Sequence, residues 1–548
     1  MLHVQNLRKH YGAVTVLADI NFVLNDGERV GLVGPNGTGK STLLRCLVGA
    51  EQPDAGRVVL SPPGARFGYL PQSFAEHDTR TFAEVVASAQ ADFLDAESHL
   101  QAAANDLATR GDDGFGAYEA ALARFEALGG YARMTRAASV LDGLDLGRLA
   151  PDQPVRTLSG GQKTRLGLAL LLLGAPDVLV LDEPTNHLDV DALEWLESFL
   201  ATTPGAVLVV SHDRAFLDAV VSRILYLDPD TRTLQSYAGG YSDFAVAREH
   251  EHNLQADAWR RQQEYVARVE RDISRLKSQA RSIELSTTAR QPGLRKFARK
   301  KAALGKSREK KLERYLESDE RVDRPALHWP INLDFGAPPP SGRAVLQVEK
   351  VAFGYPGAPL LFDQVSFEVR YGHRLALVGP NGAGKTSLLR LIQGRLEPLR
   401  GSIRLGSGVR PGVLAQEQET LDPSATVLET VLRARPMSER DARGFLPMFL
   451  FTGDEVFKTV AACSPGERAR LQLANLVLGG CNLLLLDEPI NHLDIEAREH
   501  FLRALEVFPG TVIVVAHDRV FLRAFARRTL EVREGAVREL APPSSTRT

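Results

Sequence analysis

The chain is short of the residues that would tie it to a disulfide framework, a metal cluster or a membrane. Its three cysteines, Cys46, Cys463 and Cys481, lack metal-ligand spacing and are too few to staple a fold of 548 residues. Each reads as a small buried apolar residue, and a reducing, cytoplasmic setting is expected. No apolar run is long enough for a bilayer: the longest, 166–181, is broken by Gly174, Pro176 and Asp177 and predicts a helix followed by a strand. Nor does the N-terminus, Met1-Leu2-His3-Val4-Gln5, carry a signal-peptide pattern; it enters a strand directly. An excess of charge is missing as well, since the net value is −2 with 44% hydrophobic and 24% charged residues, the values of an ordinary globular protein. A single core cannot serve a chain this long, so roughly two to four domains are predicted.

What is present begins with Gly34-Pro35-Asn36-Gly37-Thr38-Gly39-Lys40-Ser41, which fits Gly-x-x-x-x-Gly-Lys-[Ser/Thr] and recurs as Gly379-Pro380-Asn381-Gly382-Ala383-Gly384-Lys385-Thr386. Glycines at this spacing let consecutive backbone N–H groups turn inward around a phosphate, and the following helix aims its positive N-terminus at the same anion. Lys40 and Lys385 are placed to reach the terminal phosphates, while the Ser41 and Thr386 hydroxyls can ligate Mg²⁺; Thr42 and Ser387 come next at each helix start. The context agrees: Arg29-Val30-Gly31-Leu32-Val33 reads as a buried strand before the loop, and 42–47 as a helix after it.

The whole chain repeats around these loops. Tyr11 maps onto Tyr355 and Gln72 onto Gln416 at an offset of 344, and Lys40 onto Lys385 at 345. Beyond Ser159 the offset is 305, carrying Ser159 to Ser464, Asp182 to Asp487, Asp189 to Asp494 and His212 to His517. The first copy therefore holds 39 additional residues between Gln72 and Ser159, placed at about 87–130, where two Ala-, Glu- and Leu-rich helical patterns flank the turn cluster 110–116. A helical hairpin projecting from the first domain is predicted.

Each copy also ends an apolar strand in paired carboxylates, Asp182-Glu183 and Asp487-Glu488. An aspartate there can hold Mg²⁺, and the adjacent glutamate can orient and deprotonate an attacking water. Leu158-Ser159-Gly160-Gly161-Gln162 precedes a helix and offers a second anion cradle. Together these residues resemble ATP-binding cassette proteins, in both halves. The resemblance implies the α/β cassette fold, ATP and Mg²⁺ as ligands, and ATP hydrolysis at two sites. Gln72 and Gln416 become Q-loop residues that also reach the metal, Asp189 and Asp494 D-loops, and His212 and His517 switch histidines. It further implies two cassettes closing head to tail. One site would then combine Lys40, Ser41, Gln72, Asp182, Glu183 and His212 with Ser464 and Gly466. The other would combine Lys385, Thr386, Gln416, Asp487, Glu488 and His517 with Ser159 and Gly161. Tyr11 and Tyr355 are candidates to stack on adenine. The second signature, Cys463-Ser464-Pro465-Gly466-Glu467, departs from the pattern: proline suits a first helical turn but removes one N–H donor. Ile490 also stands where the first copy has Thr185, so unequal turnover at the two sites is expected.

The net charge conceals one strongly basic segment. Between residues 259 and 316 there are 18 Lys and Arg against 6 Asp and Glu. Apolar residues at Val266, Val269, Ile273, Leu276, Ala280 and Ile283 are spaced 3, 4, 3, 4 and 3 apart, a coiled-coil seam. A partner helix is predicted over 294–316, carrying Phe297, Leu304, Leu312 and Leu316, with a Gln-Pro-Gly turn between. Arg290, Arg295, Lys296, Arg299, Lys300 and Lys301 crowd the tip and the second helix, a counterpart for nucleic-acid phosphate and most simply for RNA shape and backbone.

Two tandem P-loop cassette domains joined by a basic α-helical hairpin resemble the ABC-F family. The domain reading is 1–245 for the first cassette, 246–323 for the linker, 324–541 for the second cassette and 542–548 for a disordered tail. Family resemblance implies binding in the tRNA exit site of a 70S-type ribosome in an ATP-closed form, with ribosomal RNA and peptidyl-tRNA as partners and the linker pointing to the peptidyl-transferase centre. It implies a monomer whose cassettes form an intramolecular dimer, and either a translation role or protection of the ribosome from antibiotics. The alternative is an energising subunit that docks on a separate membrane transporter.

Overall fold

The computed structural model describes every residue except 71–78, 112–114, 187, 287–291, 319–320, 323–338, 415–420, 491–492 and 541–548. The predicted Q-loop residues Gln72 and Gln416, the basic residue Arg290 and the tail therefore lie outside the described residues. Two compact units result: Met1–Tyr241 with Trp329–Thr548, and Ser242–His328.

The first unit contains the two cassettes. In each, the strands with the longest apolar runs are covered on both faces, as parallel strands require. Val178–Asp182, Ala206–Val210, Leu483–Asp487 and Thr511–Val515 are buried at every position. The first cassette orders its main sheet as Phe67–Leu70, Val178–Asp182, Ala206–Val210, Arg29–Val33, Arg223–Leu227 and Leu234–Ala238. All neighbours are parallel until the last strand, which is antiparallel. The second cassette repeats that order with Pro411–Leu414, Leu483–Asp487, Thr511–Val515, Arg374–Val378, Arg528–Arg533 and Ala536–Leu540. A three-stranded antiparallel sheet accompanies each one, centred on Leu2–Tyr11 and on Ala344–Phe353. The strand that ends in the phosphate loop thus lies inside its sheet, and the strand that ends in the paired carboxylates is two places away.

Within the first cassette, helices Ala91–Arg110 and Phe115–Ala127 form an antiparallel pair around a small apolar cluster of Phe93, Leu100 and Phe125. The Phe93 and Phe125 rings lie 5.2 Å apart, and Arg124 Nη2 meets Asp95 Oδ2 at 2.8 Å.

The second unit is the two-helix segment, with helix Tyr241–Ser286 followed by Pro292–Leu316. Val266, Val269, Ile273, Leu276, Ala280 and Ile283 are all buried or half-buried, as their spacing predicts. The partner face meets the expectation at Leu312 and differs at the other three residues. Phe297 and Leu304 are about half exposed, at 50% and 49%, and Leu316 stands at 36%, whereas Gly305 and Leu312 are buried. Gly305 and Leu312 are seven residues apart, so they share one face; Phe297 and Leu304 are also seven apart but one residue out of phase, about 100° around the helix. Gly305 faces the first helix of the pair, where a Cβ would make ordinary contact with Lys277 Cγ at 3.6 Å. Polar pairs flank the seam, Arg308 Nη1 to Asp272 Oδ2 at 3.0 Å and Lys277 Nζ to Glu309 Oε1 at 2.7 Å.

Candidate functional site

Each phosphate loop is shaped by its own glycines. Gly39 and Gly384 precede helices Lys40–Leu47 and Lys385–Ile392 with φ of 109° and 100°, in the left-handed region. A Cβ on Gly39 would meet Val16 Cγ1 at 2.6 Å, and one on Gly384 would meet Phe362 Cζ at 2.6 Å. Glycine is the residue that satisfies both constraints. Lys40 and Lys385 are buried and curl over their loops, donating to the Gly34 and Gly379 carbonyls at 2.7 Å each. Burial pushes both ammonium groups below the usual lysine range, against the pull of nearby Glu183 and Glu488 respectively.

The paired carboxylates sit at the ends of their strands. Asp182 Oδ1, Asp487 Oδ1 and both Glu183 oxygens are buried without a hydrogen-bond partner. His212 Nε2 lies 3.3 Å from Glu183 Oε1, and His517 Nε2 lies 3.6 Å from Glu488 Oε1. Burial raises the Glu183 carboxyl to about 7 and holds the His517 imidazole down to about 3; His212 is likewise pushed well below the usual histidine range. Burial also raises Asp182 and Asp487, opposed by hydrogen bonds from the Ser41 and Thr386 hydroxyls. Both candidate glutamates adopt positive φ, 53° at Glu183 and 48° at Glu488, while their N–H groups still donate at 2.9 Å to the neighbouring strand, at Val210 O and Val515 O. A left-handed glutamate costs on the order of 1–3 kcal/mol and is held there by that pairing.

These features fit a metal–nucleotide ligand. Orphaned carboxylate oxygens beside a serine or threonine hydroxyl suit a hard cation, and a glycine cradle with a buried lysine suits phosphate. Among the described residues no cluster of three His, Cys, Asp or Glu side chains could hold a metal by itself. Ser41 with Asp182, and Thr386 with Asp487, would hold Mg²⁺ together with the phosphate oxygens.

The signature serines, Ser159 and Ser464, stand exposed at helix starts. Ser159 caps Gly160–Leu173 in a capping box with Gln162, and Ser464 caps Pro465–Leu478 in the same way with Glu467. The altered second signature therefore keeps its helix start. Its Glu467 is neutralised by Lys458 Nζ at 2.8 Å, and residue 153, the equivalent of Lys458 in the first copy, is a glutamine. The Thr185-to-Ile490 difference is also compensated: Thr185 Oγ1 and Ser211 Oγ lie 3.1 Å apart, and the second copy replaces both hydroxyls, with Ile490 and Ala516. Tyr11 and Tyr355 are half exposed; the Tyr11 hydroxyl donates to Glu51 Oε1 at 2.5 Å, and Tyr355 and Ser387 share a 3.0 Å hydrogen bond.

The two cassettes hold each other at the loops that carry Asp189 and Asp494. Asp189 Oδ1 caps helix Val190–Thr202, while its Oδ2 accepts from the Asn381 N–H of the opposite phosphate loop at 3.0 Å. Asp494 does the same for helix Ile495–Val507 and for the Asn36 N–H, at 3.3 Å. Beside these contacts Arg214 pairs with Glu499 and Arg519 with Glu197 across the cassettes. Sequence reasoning passed over both arginines, although the repeat carried the signal: each stands two residues after a candidate switch histidine.

This fold and these loops define an ATP-binding cassette ATPase. A family model described as "ABC transporter" matches residues 17–186 and 362–491, and a second of the same description matches 227–329. ABC transporter F family member 5 of Arabidopsis thaliana is 34% identical, over 98% of this chain and 76% of that protein. Tylosin resistance ATP-binding protein TlrC of Streptomyces fradiae is 35% identical over 98% of both. A solved structure of RNase-L Inhibitor superposes with a TM-score of 0.60 at 20% identity, covering 98% of this chain and 89% of that one. The chain belongs to the ABC-F family of ATP-hydrolysing tandem cassette proteins. Among the described residues no helix is long and apolar enough to cross a membrane.

Proposed function

We propose that this protein is a cytoplasmic ribosome-associated ATPase whose closed form binds the tRNA exit site, presents its basic helix pair toward peptidyl-tRNA and the peptidyl-transferase centre, and leaves on hydrolysis. The observation that carries this reading is the concentration of 18 basic against 6 acidic residues in 259–316, in a chain whose net charge is −2. Phosphate-rich RNA is the matching partner. Lys296, Arg299 and Lys300 are exposed, and Lys301 donates to Gln279 Oε1 at 2.7 Å with its ammonium 4.9 Å from the Phe297 ring centroid. A relative named for tylosin resistance supports a role in which the ribosome is protected from an antibiotic.

Bound ATP and Mg²⁺ supply the reacting phosphoryl group and the charge that neutralises it. In the proposed composite sites Lys40 and Lys385 orient the terminal phosphates, and Ser464 and Ser159 approach from the opposite cassette. Glu183 and Glu488 position water and take its proton, and His212 and His517 hold that geometry. Charge-assisted hydrogen bonds contribute roughly 1.5–3 kcal/mol each. Three or four at each of two nucleotides together exceed the approximately 5.5 kcal/mol needed to move a two-state protein from mostly open to mostly closed.

The test is ribosome pelleting with ATP. The double variant Glu183→Gln, Glu488→Gln is expected to bind ATP, to lose hydrolysis and to remain on the ribosome. Rapid release of that variant, or pelleting with membranes independently of ribosomes, would overturn the reading.

A further inference from the structure

Several contacts between the cassettes recur under the repeat: Arg214 with Glu499 matches Arg519 with Glu194, although Arg519 also pairs with Glu197, whose counterpart is Leu502. Arg214 and Arg519 are equivalent, as are Asp189 and Asp494. Arg498 has no equivalent: 305 residues earlier stands Leu193, buried and apolar. Arg498 lies on helix Ile495–Val507, and its Nε donates to the Leu493 carbonyl at 3.0 Å. That anchors its head beside Asp494, whose carboxylate holds the opposite phosphate loop. Arg498 Nη1 then donates both to the backbone carbonyl of His212, at 2.9 Å, and to Asp518 Oδ2, at 3.0 Å. His212 belongs to the first cassette, and Asp518 directly follows His517 in the second. The side chains of Arg498 and Asp518 are each 13% exposed, so water competes little for the bridge.

Resting on the composite-site reading above, we propose that Arg498 is a positioning residue for the first nucleotide site, fastening the His212 loop to the opposing cassette so that chemistry there depends on cassette docking. Among the described residues the repeat supplies the second site with no equivalent fastener, because Leu193 cannot donate to the His517 carbonyl. The two sites therefore differ in how docking reaches the chemistry, and the difference lies away from the altered signature at Cys463-Ser464-Pro465-Gly466-Glu467.

Steady-state ATP hydrolysis by the full chain tests this in two backgrounds. Glu488→Gln leaves the first site as the source of turnover, and Glu183→Gln leaves the second. Arg498→Leu is expected to lower kcat at least tenfold in the first background, with the KM for ATP within about twofold, and to change kcat less than threefold in the second. Arg498→Lys retains a donor and is expected to recover part of the lost kcat. Thermal unfolding within 2 °C of the parent would show that the fold is intact; if Arg498→Leu unfolds early, the site-specific difference is read from Arg498→Lys and Asp518→Asn instead. Equal loss at both sites, no loss at either, or a change confined to KM would overturn the proposal while leaving the composite-site reading in place. Turnover that survives the double Gln variant would overturn both.

Discussion

Glu183 pairs left-handed backbone with a fully enclosed carboxyl. It keeps its proton in the fold up to about 7 because burial disfavours the anion, whereas a free glutamate releases it at 4.5. Folding therefore takes up a proton between those values, and this contribution to stability weakens as pH rises from about 4.5 to 7, by on the order of 3 kcal/mol. Glu183→Gln removes the effect. In the absence of nucleotide the variant is expected to gain more in unfolding temperature over its parent at pH 8 than at pH 5.5, measured by calorimetry. An equal difference at the two pH values would contradict the burial argument. The identity of Glu183 was legible in the sequence, as the second of two carboxylates ending an apolar run. Its positive φ was not, because glutamate has no local preference for that conformation and the neighbouring strand imposes it.

At the scale of elements, the phosphate-loop helices, the capped signature helices and the buried strands follow from patterns a few residues long. The partner helix of the basic pair does not. Of its apolar residues Leu312 is buried while Phe297, Leu304 and Leu316 stand more exposed, because they do not share one helical phase and the docking against Tyr241–Ser286 selects among them. Leu312→Ala is expected to destabilise the pair by roughly 2–3 kcal/mol, as for other buried leucines, and to raise amide exchange in both Tyr241–Ser286 and Pro292–Leu316. Leu304→Ala should leave exchange nearly unchanged. The reverse order would restore the phase of Phe297 and Leu304.

At the scale of the whole molecule, charge and clamping decide function together. Replacing Lys296, Arg299 and Lys300 by Gln is expected to weaken ribosome binding and to flatten its dependence on salt, since a phosphate that the protein no longer neutralises keeps its condensed counterion and lowers the slope by about one. ATP hydrolysis without ribosomes should be retained. An unchanged salt slope, measured by pelleting between roughly 50 and 200 mM salt, would remove these residues from the interface.

The sequence by itself determined the tandem repeat, the loops that suit phosphate and cation, the paired carboxylates, the additional helical pair and the basic segment. All of these rest on short-range spacing, where backbone hydrogen bonds and side-chain phase leave a local imprint. Only the tertiary structure decided that Asp494 meets the Asn36 N–H from 458 residues away, and that one arginine without a counterpart ties the His212 loop to Asp518. Those pairings depend on how the two cassettes dock, and no local pattern in the chain encodes which surface residue will face which.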